Sequence, residues 1–145
     1  MFQRILIVCT GNICRSPVAA AMLQQRLPHL TVTSAGLGAL AGQSVDAQAR
    51  RLAEANRLDV SSHQARQLDT DLLAEADLVL VMTDGQRQAV AKRWPEVRGK
   101  ILLMGKWLAD QEGSDIPDPY RKSPEVFAHV HRMLNEATRL WAQRL

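Results

Sequence analysis

The stretch Ile5-Leu6-Ile7-Val8-Cys9-Thr10-Gly11-Asn12-Ile13-Cys14-Arg15-Ser16-Pro17 decides the fold. Its first four residues form a continuous apolar run rich in β-branched side chains, the pattern of a strand buried on both faces of a parallel sheet. Thr10, Gly11 and Asn12 then break the run with turn chemistry. Ser16 followed by Pro17 reads as a helix N-cap with proline at the first helical position, and residues 18–27 continue as helix. A buried strand, a tight loop and a helix in succession make the opening half of a parallel βαβ unit.

The alternation continues outward from there. Residues 31–34 alternate like a second strand, and Gly36, Gly38 and Gly42 mark the loop after it. Residues 46–57 are helical in pattern, with Ala49, Leu52 and Ala53 on one side, and residues 69–76 read as a short helix capped by aspartate or threonine. Residues 78–82, Leu-Val-Leu-Val-Met, form the clearest strand. Residues 86–94 read as helix stopped at Pro95, and residues 101–104 as a fourth strand. A connection over 105–119, with glycine, aspartate and two prolines, is too long to be an inert link. From Ser123 onward, Phe127, Val130, Leu134, Ala137 and Trp141 recur on one helical face. These elements predict an α/β fold: one domain over 1–145, with a parallel sheet covered by helices on both faces and ligands outside the carboxyl ends of its strands.

Composition removes several classes of function. The chain has 145 residues, 46% hydrophobic and 23% charged, which argues against disorder and coiled coil. Its apolar runs are too short to span a bilayer and no secretory leader is visible, so the expectation is a cytoplasmic protein without membrane insertion. A formal charge of +3 suits an anionic ligand. With six aromatic residues and no Lys/Arg run longer than two, nucleic acid is not expected as a partner. The two cysteines, Cys9 and Cys14, sit together in one loop, so they cannot staple distant segments, and without clustered histidines they form no zinc site. No metal and no cofactor are expected.

What remains is cysteine chemistry at one place. Gly11 and Asn12 tolerate positive φ, so the loop can curl until successive backbone N–H groups point inward. Such a nest at a helix start binds a tetrahedral oxyanion. Arg15 adds a planar fork for two phosphate oxygens. Cys9 at the floor of this positive pocket is favoured as thiolate and is placed for in-line attack on phosphorus, giving a phosphocysteine. Departure of an ester oxygen then needs an acid. Asp118, flanked by Pro117 and Pro119 late in the long connection, leaves the fourth strand at the same end of the sheet and is the candidate, later serving as base toward water. Without this context Cys9 would read as a buried cysteine at a strand end, and Asp118 as an ordinary Asp-Pro turn.

With these residues in place the chain resembles the low-molecular-weight protein tyrosine phosphatases of the bacterial branch. The likeness spans the whole length: the Cys9–Arg15–Ser16–Pro17 loop, Thr33-Ser34-Ala35-Gly36, Ser62-His63-Gln64-Ala65-Arg66, and Asp118-Pro119-Tyr120 before the last helix. The resemblance implies a four-stranded parallel sheet in the order 2-1-3-4. It implies that Cys9, Arg15 and Asp118 are catalytic and that Thr10, Gly11, Asn12, Ile13, Cys14 and Ser16 form the phosphate loop. Ser16 would donate to the Cys9 sulfur, while Ser34 and His63, with Asn12, would hold the loop in shape. Leu40 and Tyr120 are expected to wall the substrate pocket, and Trp107 is either a further wall or core. Leu40 stands where animal members carry an aromatic residue, and Arg121 where they usually carry a second tyrosine.

The partner implied by the resemblance is a phosphotyrosine protein, an autophosphorylating tyrosine kinase that controls exopolysaccharide production, met by a monomeric phosphatase. Three rivals stand beside this. An arsenate reductase on the same fold needs relay cysteines that the chain lacks. A non-catalytic anion-binding module would need neither Cys9 nor Asp118. A protein-arginine phosphatase is separated by Ile13, where the arginine-specific relatives carry threonine.

Overall fold

A computed structural model describes residues 2–145. Four parallel strands, β1 (Arg4–Cys9), β2 (Thr31–Gly36), β3 (Leu78–Val81) and β4 (Ile101–Leu103), form one sheet in the order β2-β1-β3-β4. The helices are α1 (Arg15–Arg26), α2 (Ala47–Ala55), α3 (Thr70–Glu75), α4 (Asp84–Arg93) and α5 (Pro124–Ala142). The expected topology is the observed one.

The continuous apolar strands are explained by two separate cores. Ile5, Ile7 and Cys9 of β1 join Leu78 and Leu80 of β3 under α1, α2 and α5. The alternate residues Leu6, Val8, Val79 and Val81 face Leu73 of α3 and Val90, Ala91 and Trp94 at α4. Because side chains alternate along a strand, a strand with a core on each side has no position left for polar residues. Among the described residues no helix is long and apolar enough to cross a membrane.

Several local expectations change. Ser16 is not an N-cap: α1 starts two residues earlier than expected, at Arg15, with Cys14 in the cap position and no side chain capping the first turn. The Ser16 hydroxyl is engaged elsewhere, with Cys9 Sγ at 2.9 Å and Asn12 Nδ2 at 2.8 Å. Helix α4 begins at Asp84 rather than 86, because Thr83 and Gln86 form a capping box. Helix α2 ends at Ala55, and Arg57 turns away with a φ of 63°. Residues Pro95–Lys100 form a 3₁₀ turn where only a stop was expected. Gly36 belongs to β2 and not to the loop after it.

The outer edge of β2 is blunted. The Val32 amide donates to Gln24 Oε1 at 3.1 Å, the Ser34 carbonyl accepts from Arg66 Nε at 2.9 Å, and Gly36 bonds to Arg66 and Leu68 on both its groups. On the other side of the sheet the long connection is packed rather than loose. Trp107 lies edge-on to Trp141 at 5.5 Å, and Trp141 Nε1 donates to the Met104 carbonyl at 2.9 Å.

Gly36 marks where β2 touches the loop after β1. A Cβ at this position would lie 2.6 Å from the Thr10 carbonyl oxygen and 3.0 Å from Asn12 Cβ. Both neighbours are held by backbone geometry and cannot yield. Gly36→Ala should therefore destabilise the protein by about 1–3 kcal/mol, as overpacking does, and lower its activity as well. Denaturant melts paired with turnover measurements check this; a fully stable, fully active Gly36→Ala protein would remove the close approach.

Candidate active site

The segment between β1 and α1 folds as a tight loop at the carboxyl end of the sheet, and its geometry is dictated by its carbonyls. Five successive carbonyl oxygens each accept a hydrogen bond from outside the loop. Cys9 accepts from the Leu37 amide at 3.0 Å, Thr10 from Gly38 at 3.0 Å, and Gly11 from Leu40 at 3.1 Å. Asn12 accepts from His63 Nε2 at 2.7 Å and Ile13 from the Asp46 amide at 2.8 Å. In a trans peptide the N–H points opposite the C=O, so turning the carbonyls out turns the amides in. The inner side of the loop is a ring of donors at the start of α1, where the helix dipole also favours negative charge.

One residue makes the turn possible. Asn12 sits at a φ of 59°, while Gly11, also expected to need this freedom, does not adopt it. Asn12 is fully buried and spends its side chain on the surroundings. Its Nδ2 donates to Ser16 Oγ at 2.8 Å and to Ser34 Oγ at 3.0 Å, and its Oδ1 accepts from the Arg66 amide at 2.9 Å. Since Ser16 Oγ already accepts from Asn12, its own proton is free for the Cys9 sulfur, 2.9 Å away.

Arg15 is 3% exposed and ties two loops together. Its Nη1 donates to the Ile116 carbonyl at 2.8 Å, and its Nη2 lies 3.7 Å from Asp118 Oδ2. Its Nε is buried and has no hydrogen-bond partner among the described residues. The Asp118 carboxyl is about half exposed and Oδ1 accepts from the Tyr120 amide at 3.0 Å, so the carboxyl is fixed at the rim yet open to solvent. The base of its loop is clamped: Ile116 N donates to Met82 O at 2.8 Å, and the Asp84 amide donates to Asp115 Oδ1 at 2.9 Å.

Cys9, Thr10, Gly11, Ile13, Cys14 and Arg15 line the resulting cleft, with Gly38, Leu40, Asp118 and Tyr120 as its walls. Burial, with Asp46 and Asp118 nearby, pushes the Cys14 thiol up from its ordinary range, so Cys14 stays a neutral neighbour. The sequence-based candidates thus converge. Ser34 and His63 stand behind the loop as its supports, and Leu40 and Tyr120 wall the cleft. Trp107 does not reach it and packs on Trp141. His131 is half-buried, is within 3.1 Å of Asn56 Nδ2 and has its pKa lowered by burial.

Sequence reasoning missed the outer donors. Leu37, Gly38 and Asp46 act through backbone amides, which leave no mark on residue type. Arg66 lies in the 62–66 segment that carries the family resemblance, and Gln86 follows Thr83 at capping-box spacing; these were the signals available. Arg66 anchors Asn12 and Ser34, and Gln86 joins the α4 cap to Thr10 Oγ1 at 3.1 Å.

Comparison with known proteins places this geometry. The family model for low molecular weight phosphotyrosine protein phosphatase matches residues 4–145. The chain is 46% identical over 145 residues to the low molecular weight protein-tyrosine-phosphatase Wzb of Salmonella typhimurium, covering 100% of this chain and 95% of that one. It is similar to the structure of Vibrio vulnificus Wzb in complex with benzylphosphonate, with a TM-score of 0.95, 45% identity and complete coverage of both chains. It is also similar to the YwlE arginine phosphatase from Geobacillus stearothermophilus, with a TM-score of 0.90, 32% identity, and coverage of 98% of this chain and 92% of that one.

Proposed function

The chain belongs to the low molecular weight phosphotyrosine protein phosphatases, cysteine-dependent enzymes, and we propose that it hydrolyses phosphotyrosine in proteins through a phosphocysteine on Cys9. The observation that carries this reading is the loop whose five outward carbonyls leave its amides facing inward above a buried sulfur. The amides and the Arg15 Nε and Nη2 groups bind the three phosphate oxygens and stabilise the charge that spreads over them at the transition state. Cys9 Sγ attacks phosphorus as the bond to the tyrosine oxygen breaks. Asp118, on the rim, gives that oxygen its proton.

In the second half the roles reverse. Asp118, now a carboxylate, takes a proton from water as the water oxygen attacks phosphorus. The Cys9–phosphorus bond breaks, and the Ser16 hydroxyl stabilises the sulfur as it leaves as thiolate. Phosphate departs and the starting state is restored. Leu40, Ile13 and Tyr120 supply apolar walls for a phenyl ring. Benzylphosphonate, held by the Vibrio vulnificus relative, likewise joins a phenyl ring to a tetrahedral phosphorus group.

The substrate we assign on family likeness is an autophosphorylating bacterial tyrosine kinase linked to exopolysaccharide production, met in the cytoplasm by a monomeric phosphatase. A monomer suffices because every group used above comes from one chain. The likeness to YwlE supports a second reading, hydrolysis of phosphoarginine. Ile13 argues against it: the side chain lines the cleft and has no donor or acceptor for a guanidinium.

Cys9→Ser should abolish turnover of phosphotyrosine peptides while retaining vanadate binding, because the loop and Arg15 remain; turnover by this variant would end the mechanism. Asp118→Asn should lose ~10²–10⁴-fold in kcat/KM on phosphotyrosine, and far less on an ester whose leaving group needs no proton. Equal losses on the two esters would make Asp118 structural. For substrate choice, the unmodified protein should strongly prefer phosphotyrosine to phosphoarginine, and Ile13→Thr should shift the ratio of kcat/KM values toward phosphoarginine. A native preference for phosphoarginine would replace the tyrosine reading with the arginine one.

A further inference from the structure

We propose that Arg121 reads a negatively charged side chain next to the phosphotyrosine in the substrate, a role that rests on the phosphotyrosine reading above. Residues 119–122 form a turn closed by the Lys122 amide donating to the Pro119 carbonyl at 2.8 Å. Arg121 occupies its third position with a φ of 61°, left-handed backbone for which glycine is the unstrained choice. Placing an arginine there strains the backbone. What this conformation achieves is a particular placement of charge.

The guanidinium stands over the ring of Tyr120, with Cζ 5.1 Å from the centroid. Tyr120 is the aromatic wall of the cleft, so the cation lies against that wall, on the turn that follows Asp118. Among the described residues no carboxylate lies within 4.0 Å of Arg121. Asp118, which directly precedes this turn, faces Arg15 and is held by the Tyr120 amide. Glu125 follows in the first turn of α5, and exposed Lys122 adds a second positive charge beside Arg121. A ring that enters the cleft along Tyr120 must bring its neighbouring residues past this cation. An aspartate or glutamate there meets an unpaired guanidinium, an alanine gains nothing, and a lysine is repelled.

The contact is exposed, so the effect is modest and salt-sensitive: about fivefold between an acidic and a neutral neighbour at low ionic strength. The test uses three phosphotyrosine peptides that differ only beside the phosphotyrosine, which carries aspartate, alanine or lysine there. The unmodified protein should rank them in that order by kcat/KM, with the spread shrinking as salt is added. Arg121→Gly, which relaxes the backbone and so keeps the fold, should bring the three within about twofold. Arg121→Glu should invert the order. Equal rates with the unmodified protein, or the acidic preference surviving in both variants, would overturn the role of Arg121 and leave the phosphotyrosine assignment standing. Hydrolysis of para-nitrophenyl phosphate but of none of the peptides would instead remove the phosphotyrosine reading, and Arg121's role with it.

Discussion

Everything at the site depends on the direction of five peptide bonds. Backbone amides are weak ligands one at a time, and water competes with each of them. Arrayed inward on a loop that cannot relax, they act together and at no reorganisation cost when an anion arrives. The outward carbonyls are what prevents relaxation, because flipping any one peptide would strand a bonded carbonyl inside the protein. Asn12 completes the constraint. Its left-handed backbone is tolerable for asparagine and poor for most residues, and its side chain joins β2, α1 and the segment around Arg66.

The second constraint is the link between the phosphate loop and the acid. These arrive from strands β1 and β4, which are not neighbours, and β3 lies between them. Three ties bridge the gap: Arg15 to the Ile116 carbonyl, Ile116 to Met82, and Asp115 to the first turn of α4. Arg15 therefore has two jobs. It is a donor toward the cleft and a strut under the loop that carries Asp118, so removing it would disturb binding and proton transfer together.

Much of this was legible in the sequence, for identifiable reasons. Two-sided burial leaves an apolar run, so β1 and β3 stood out. The apolar face of α5 recurs at Phe127, Val130, Leu134, Ala137 and Trp141 and could not be mistaken. Cys9, Arg15 and Asp118 stood out because the proposed chemistry restricts their residue types, and the fold brings them to one cleft. The less legible parts were those made by backbone. Ser16 looked like a cap because Ser-Pro is a strong local signal, yet the sulfur of Cys9 took its hydroxyl instead. Gly11 and Asn12 were both read as able to take a positive φ, and Asn12 is the one that does. Leu37, Gly38 and Asp46 contribute amides that any residue possesses. Trp107 was undecided because a tryptophan serves equally as pocket wall or core, and only its contact with Trp141 separates the two.

The outer donors also lie far along the chain from the residues they fix. The carbonyls at 9–13 wait for Leu37, Gly38, Leu40, Asp46 and His63, and Asn12 waits for Arg66. Domains are synthesised from the N-terminus, so Cys9 is made early and its surroundings late. Until residue 66 is in place Cys9, the proposed nucleophile, lacks the nest around it. The proposed chemistry thus becomes available to the nascent chain only when the structure that buries the sulfur is complete.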